Sequence, residues 1–473
     1  MRSFPLSAAY TDLYELTMGE VFFREGKQDT AVVFDYFFRK VPGGGGYVLF
    51  AGLEDLLETL SALRFTDEDI AFLRDQGFHA SYIDFLRGWE FKGMILSARE
   101  GEIVFPGCPI LRVEGGLFEA QLIETLLLNI LNFESLIATK ASRIKYVAGD
   151  RVVSDFGLRR SHGPGGILAT RAAFVGGATS TSNVYAAEKY HLPVTGTMAH
   201  SFVESHDSEL EAFRAFAEVR PVDAVFLVDT YDTLDSGVPN AIRVAKEMEK
   251  NERRAGGVRL DSGDLAYLSR RVREMLDDAG LGYMKIIVSN QLDEYVIKSL
   301  LDQGAPIDVF GVGTRLVTGV PDAALDGVYK LSMSDGRPRI KLSENLAKLT
   351  LPGIKQVKRM FDPNGLFYGA DVIALDGEFP GNEPVPVMYH PMEPGKSLPI
   401  GELRQEPLLR MVMKDGKRLG PAPAVAEIAA YASSRLGLLP AEYRRFENPH
   451  LYKVGLSKAL LRMRDTVRAE HSK

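Results

Sequence analysis

Between residues 150 and 320 the chain repeats one pattern: a short apolar run, a polar end, then a helical stretch. The runs fall at 152–157, 194–198, 224–229, 258–261, 285–290 and 308–314. Helical periodicity follows at 207–219, 237–252, 264–279 and 293–303. Parallel neighbours cannot be joined by a tight turn, so short strands alternating with helices predict a parallel sheet with helical crossovers. Six consecutive units point to an α/β barrel, complete or partial, more than to an open sheet. In such a barrel the chemistry sits at the C-terminal ends of the strands.

The 473 residues exceed one ordinary core, so two or three domains are expected. Before the repeating region the pattern predicts a helix over 10–26, capped by Asp12 and ending at Gly26. A strand follows at 31–41, then four glycines, helices at 52–63 and 67–75, and hairpins over 91–114 turning at Pro106 and Gly107. Residues 117–140 form a helix apolar on most faces, either buried or at a subunit interface. After 325 the alternation fades into short strands at 328–341 and 366–373. A Pro- and Gly-rich stretch at 377–399 reads as a loop or linker, and helices close the chain at 422–436 and 456–470.

The net charge of −7 argues against a nucleic-acid binder, which is usually basic, while leaving room for a local anion pocket. Cys108 is the single cysteine, so neither an intramolecular disulfide nor a cysteine-based zinc site is available. No signal peptide is visible at the start, and no stretch approaches the ~20 apolar residues of a bilayer span. The expectation is a soluble cytoplasmic protein without a membrane partner.

The strand ends carry the candidate site. In order they present Asp155, Phe156 and Arg159-Arg160; Thr195, Gly196 and His200; Asp229 to Asp232; Arg259, Asp261 and Asp264; Ser289-Asn290; and Gly311 to Thr314. Singly, each has a structural explanation: Asp264 and Asp293 suit helix caps, Arg160 a solvated surface, His200 a cap or a packed strand end. Jointly, the residue types suit a multiply phosphorylated sugar with a small acid. Gly313-Thr314 offers bare N–H groups and a hydroxyl for one phosphate. Arg159 suits a second anionic group, and Arg259 a bidentate carboxylate. Asp229 and Asp261 suit sugar hydroxyls or a magnesium ion (Mg2+).

Several of these residues stand in longer motifs: Thr11-Asp12-Leu13-Tyr14, Phe156-Gly157-Leu158-Arg159-Arg160, Thr181-Ser182-Asn183-Val184, and Gly196-Thr197-Met198-Ala199-His200-Ser201. Val228-Asp229-Thr230-Tyr231, Arg259-Leu260-Asp261-Ser262-Gly263-Asp264, Gly311-Val312-Gly313-Thr314 and Asn448-Pro449-His450 complete the set. Through them nearly the whole chain resembles the nicotinate phosphoribosyltransferase family. The resemblance implies a type II phosphoribosyltransferase fold, an irregular α/β barrel with a second α+β domain built from both chain ends. The corresponding division is 1–145, a barrel at 146–360, and a returning segment at 361–473. It implies joining nicotinate to phosphoribosyl pyrophosphate in NAD biosynthesis, giving nicotinate mononucleotide and pyrophosphate, with ATP as co-substrate. It further implies a homodimer in which Tyr14 reaches the partner's site, and His200 as the histidine phosphorylated by ATP. Arg259 would meet the nicotinate carboxylate, Phe156 or Tyr14 stack on the pyridine, and Arg159 face the pyrophosphate. Gly313 and Thr314 would hold the 5′-phosphate, and Asp261, catalytic together with His200, would lie near the ribose hydroxyls; Asp229 and Ser289 would complete the substrate-binding set.

Three rival readings share the fold, of which a quinolinate phosphoribosyltransferase is usually a shorter chain and would call for a more basic pocket to take a second carboxylate. A nicotinamide phosphoribosyltransferase carries an aspartate where Thr179 is aligned; a neutral Thr179 with Arg259 favours the acid. A non-catalytic sugar-phosphate-binding protein would not need His200, Arg159, Arg259 and Asp261 together.

Overall fold

The computed structural model describes residues 6–342, 350–380, 383–393 and 395–471. It divides into two compact units, one spanning residues 137–320 and one built from 1–136 with 321–473.

The first unit contains six parallel strands: β1 (Val152–Asp155), β2 (Ser180–Thr181), β3 (Val225–Leu227), β4 (Gly257–Leu260), β5 (Lys285–Ser289) and β6 (Val309–Val312). Their order across the sheet is β2-β1-β6-β5-β4-β3. The two outer strands, β2 and β3, do not pair with each other, so the barrel is incomplete. Val153, Phe226, Val258, Val288 and Phe310 are buried along the strands, as expected for a sheet covered by crossover helices. The helices start where predicted. Asp264 accepts from the N–H groups of Ala266 and Tyr267, and Asp293 from those of Tyr295 and Val296. Both aspartates are therefore caps.

One expected strand is absent. Residues 194–198 form only a single bridge, Val194 to Thr181. The place beside β1 is taken by Ser180–Thr181, whose pairing to Ser154 and Asp155 makes it β2. The later segment is tied past it by Thr181 N–H to the Pro193 carbonyl and Thr195 N–H to the Thr181 carbonyl.

The second unit is built from both chain ends. Its strand Ala31–Phe38 lies between Gly327–Ser334 and Leu111–Gly116, antiparallel to both. Lys355–Phe361 pairs with Phe367–Leu375. The stretch 321–360, expected in the barrel, therefore belongs here, because its hydrogen-bonding partners do. A buried ion network fastens the two ends: Arg359 binds Asp371 with two parallel bonds and Glu102 at 2.6 Å, and Arg435 binds Glu102 at 2.8 Å. The stretch 377–399, read as a loop or linker, contains strands Val387–Tyr389 and Ser397–Pro399; residues 381, 382 and 394 lie outside the described set.

The apolar helical stretch Leu117–Ala148 runs for 32 residues, long and apolar enough by length and composition to cross a membrane, which the sequence reading did not expect. Most of its apolar window, 67%, is buried inside the protein, as befits a core helix. The boundary between the two units falls within it.

Candidate functional site

The parallel arrangement brings the strand ends to one rim of the first unit. Arg259, on β4, is its centre. Its Nε donates to Ser289 Oγ at 2.9 Å, one terminal nitrogen to Thr197 Oγ1 at 3.1 Å, and the other to Asp261 Oδ1 at 2.8 Å. The nitrogen bound to Thr197 also lies 3.4 Å from the Met198 carbonyl. Three planar directions are thus fixed by three neighbours, an arrangement that a lysine could not reproduce. Ser289 in turn donates to Asp261, joining β5 to β4 through a buried hydroxyl.

Asp261 and Asp229 are fixed differently. The Asp229 Oδ2 accepts from Asp261 N–H and Ser262 Oγ, both at 2.7 Å. Its other oxygen, Oδ1, is buried and without a hydrogen-bond partner among the described residues. Such an atom calls for a ligand that supplies a donor or a positive charge. Among the described residues no group of three or more His, Cys, Asp or Glu side chains forms a ready-made metal cage. Two neighbouring carboxylates with one free oxygen fit a magnesium ion that takes its remaining ligands from phosphate.

Phe156 follows β1, and its ring lies 5.7 Å from the Arg259 guanidinium carbon. The ring rests on the backbone of β6 at Gly311, where a Cβ would come within 2.4 Å of its edge. Glycine there is a packing requirement: the aromatic face and the cation share one corner only because position 311 has no side chain. Asp155 holds the turn that carries Phe156. It accepts from Gly157 N–H at 2.8 Å and from the hydroxyls of Thr170 and Thr181 at 2.7 and 2.9 Å. Burial pushes its carboxyl above the usual range, and these three bonds oppose that rise.

His200 opens the short helix His200–Glu204; Ala199, not the histidine, occupies the cap position. Its Nδ1 lies 3.1 Å from Thr230 Oγ1, the residue after Asp229. Gly313 and Thr314 stand at the start of helix Thr314–Val317, directly beyond β6. Arg159 and Arg160 are exposed in the turn Leu158–Arg160, and no ion pair involves them among the described residues. Asn290 and Gln291, after β5, both adopt positive φ, 80° and 48°. Asn290 spans to the Asp261 carbonyl at 2.9 Å, so this unusual backbone is held in place from the neighbouring strand.

Two candidates do not join this group. Thr179 precedes β2, and its backbone N–H and hydroxyl both point to the Val153 carbonyl, two residues short of the rim. The residue that stands beyond the C-terminal end of β2 is Ser182, exposed and tied by its N–H to the Asp155 carbonyl. Tyr14 belongs to the other unit, on helix Leu13–Arg24, where the residue is 46% exposed. Sequence reasoning also passed over Thr197 and Thr230 as contacts, although both stand inside quoted motifs. A cavity of about 600 Å3 lies in the terminal unit, lined by Asp35, Arg39, Lys355 and Arg464 among others, and shares no residue with the rim.

Comparison with known proteins bears directly on this rim. Three family models match successive parts of the chain: nicotinate phosphoribosyltransferase N-terminal domain at residues 10–132, nicotinate phosphoribosyltransferase family at 152–363, and the C-terminal domain at 354–464. A Bacillus subtilis nicotinate phosphoribosyltransferase is 45% identical, over 95% of this chain and 92% of its own. One from Mycobacterium tuberculosis is 40% identical, over 98% and 96%. The crystal structure of human nicotinic acid phosphoribosyltransferase superposes with a TM-score of 0.87 at 32% identity, covering 97% of this chain and 99% of that one.

Proposed function

The chain belongs to the nicotinate phosphoribosyltransferase family, with phosphoribosyltransferase chemistry on nicotinate and phosphoribosyl pyrophosphate, and from that premise we propose how its rim performs the reaction. The observation that carries the proposal is the Arg259 corner. A fixed guanidinium beside an aromatic face suits a flat ring bearing a carboxylate. Nicotinate is such a ring. Its carboxylate pairs with Arg259, and Phe156 stacks on the pyridine, with Tyr14 of a second copy closing the other face. Ser182, neutral and at the end of β2, takes the discriminating place that the sequence reading gave to Thr179.

Phosphoribosyl pyrophosphate lies across the remaining strand ends. Gly313 and Thr314 bind the 5′-phosphate with the N–H groups that open their helix. Asp261 receives the ribose hydroxyls, and Arg159 turns toward the pyrophosphate. Magnesium would be held by the free oxygen of Asp229 together with phosphate oxygens, and when bound it neutralises charge on the leaving pyrophosphate. The ring nitrogen of nicotinate attacks the anomeric carbon as the bond to pyrophosphate breaks. Cationic character at that carbon is met by Asp261. Orientation and charge complementarity carry the rate, with little acid–base chemistry required.

ATP enters through His200, which accepts a phosphoryl group and couples its hydrolysis to turnover. The enzyme works as a cytoplasmic homodimer. The deciding experiment offers nicotinate, nicotinamide and quinolinate side by side with phosphoribosyl pyrophosphate. Preference for nicotinate is expected; preference for nicotinamide would overturn the roles given to Arg259 and Ser182.

A further inference from the structure

We propose that Asp155 is a positioning residue for the base: its carbonyl and its carboxylate together set Ser182 and Phe156 at one spacing, and Thr170, Thr181 and Asn183 hold it there. The proposal deepens, and rests on, the reading of Phe156 as the face that stacks on nicotinate. Asp155 ends β1 and is 1% exposed. Its backbone carbonyl accepts from Ser182 N–H at 2.9 Å. Its Oδ1 accepts from Gly157 N–H at 2.8 Å, in the turn that carries Phe156. The two residues given to the base thus hang from the main chain and the side chain of one buried aspartate.

The other carboxylate oxygen, Oδ2, belongs to a closed polar ring. It accepts from Thr170 Oγ1 at 2.7 Å and from Thr181 Oγ1 at 2.9 Å. Asn183 meets both threonines: its side-chain amide donates to Thr170 Oγ1 at 3.1 Å, and its backbone N–H to Thr181 Oγ1 at 3.0 Å. The same amide also donates to the Gly166 carbonyl at 3.2 Å, and its oxygen caps helix Val184–Tyr190 through Ala186 N–H. All four members of the ring are buried. They come from the end of β1, helix Gly165–Val175, β2 and the start of the next helix, so the ring fastens four elements beneath the base corner.

The charge on Asp155 is what orders this ring. A threonine hydroxyl has one proton to donate, and Asn183 fills an acceptor position on each. Each threonine also lies near a carbonyl, Thr170 at 3.0 Å from Gly166 and Thr181 at 3.3 Å from Asp155. The carboxylate oxygen is closer to both and charged, so both protons go to it. Asp155 then faces three donors, two at Oδ2 and one at Oδ1. A neutral asparagine in its place would have to turn both threonine protons away to the more distant carbonyls, exchanging charge-assisted bonds for weaker neutral ones. The Phe156 turn would lose its fixed anchor while the fold around it remained.

The test is steady-state kinetics of the full-length protein with nicotinate varied, beside melting curves. Asp155→Asn is expected to raise nicotinate KM by about tenfold, the worth of one hydrogen bond to a charged group, with kcat within about threefold of wild type. Thr170 touches no substrate in this reading, so its variants isolate the ring and decide the matter even if Asp155→Asn fails to fold. Thr170→Val, nearly equal in volume, should raise nicotinate KM by about fivefold, and Thr170→Ser, which keeps the hydroxyl, should bring it back to within about twofold of wild type. A merely structural role would lower the melting temperature and the active fraction and leave nicotinate KM where it was. Nicotinate KM within twofold of wild type in Thr170→Val overturns the proposal, as does a Thr170→Ser no better than Thr170→Val. Phe156→Leu, measured alongside, separates the two layers of the argument. A raised KM there with an unaltered KM in Thr170→Val removes the positioning role alone. An unaltered KM in Phe156→Leu overturns the stacking reading and the proposal together.

Discussion

Removing one hydroxyl, in Ser289→Ala, isolates what the Arg259 corner contributes. Ser289 is buried and belongs to two charged partners at once, accepting from Arg259 Nε at 2.9 Å and donating to Asp261 Oδ1. Alanine deletes both bonds and puts nothing in their place. Fully buried, each bond to a charged group would be worth about 1.5–3 kcal/mol. The Arg259 and Asp261 side chains are 15% and 29% exposed, so water recovers part of that. About 1 kcal/mol per bond is the appropriate scale, near 2 kcal/mol in all, or roughly a 30-fold fall in kcat/KM for nicotinate. The Arg259–Asp261 pair survives, at 2.8 Å through another nitrogen, so the guanidinium stays in the site but loses its fixed plane. Because a carboxylate is held alike before and during bond formation, the share lost through Arg259 should fall in nicotinate KM, and the share lost through Asp261 in kcat or in the KM for phosphoribosyl pyrophosphate, each by about fivefold. Steady-state kinetics with each substrate varied in turn, alongside a melting curve to verify folding, measures both. A nicotinate kcat/KM within threefold of wild type would show that Thr197 and Asp261 orient Arg259 unaided, and the argument from Ser289 would be refuted.

Three further outcomes follow from other parts of the molecule. Gly311→Ala places a methyl 2.4 Å from the Phe156 ring edge and must displace the ring; nicotinate KM should rise by about tenfold with the fold kept, and an unchanged KM in steady-state assays would separate Phe156 from base binding. Mixed dimers of Tyr14→Ala and Arg259→Ala subunits should recover up to about a quarter of wild-type activity if one intact site forms per heterodimer, whereas subunits acting alone would recover none. Burial pushes the Glu15 carboxyl up to about 7, so the folded protein binds a proton there that the unfolded chain releases near pH 4.5. The contribution of this group to stability is complete below pH 4.5 and is lost as pH rises through 7, by at most about 3 kcal/mol. Glu15→Gln should flatten that part of the melting-temperature profile between pH 5 and 7.5, and an unaltered slope would assign it to other groups.

How much of this was legible in the sequence depends on what each feature needed. The parallel strands announced themselves because a strand buried on both faces tends to a continuous apolar run, and β3, the middle of β5 and β6 are such runs, while β1 and β4 pair shorter apolar stretches with the polar residues of the site. Their polar ends followed directly, which is why Arg259, Asp261, Ser289 and Gly313 were found together. β2 escaped because it is two residues long, Ser180–Thr181, polar and tied mainly by its backbone, while the more apolar 194–198 looked like the better strand. That one substitution had a consequence for the site. Thr179 was chosen by its alignment with the nicotinamide-specific relative, without a strand to place it; once β2 is Ser180–Thr181, Thr179 falls at the wrong end and Ser182 at the right one. The division of units failed at 321–360 for a related reason, since the strand Gly327–Ser334 is assigned by its partner Ala31–Phe38, almost three hundred residues earlier.

Side-chain contacts across strands were out of reach altogether, and the Thr230 contact shows why. Thr230 and His200 are separated by thirty residues, a helix and a strand, and nothing in the spacing of either motif says that one hydroxyl meets one ring nitrogen. Their meeting depends on β3 lying at one outer edge of the sheet and on the 194–199 segment being tied to β2 at the other end of the strand order. Strand order is therefore the missing variable: residue types named the participants, but only the order β2-β1-β6-β5-β4-β3 determines who touches whom. The same order carries Arg259 from β4 to Thr197 in the histidine segment, so the arginine proposed to bind the base and the histidine proposed to accept the phosphoryl group share one mechanical connection. A nicotinate carboxylate competing for that arginine must weaken its hold on Thr197. By reciprocity, a ligand at the histidine segment that changes nicotinate affinity has its own affinity changed by nicotinate by the same factor. Thr197→Val, which removes the hydroxyl at the junction, should then change nicotinate binding measured with and without ATP to different extents in wild type and variant; equal ratios in the two proteins would show that the coupling runs elsewhere.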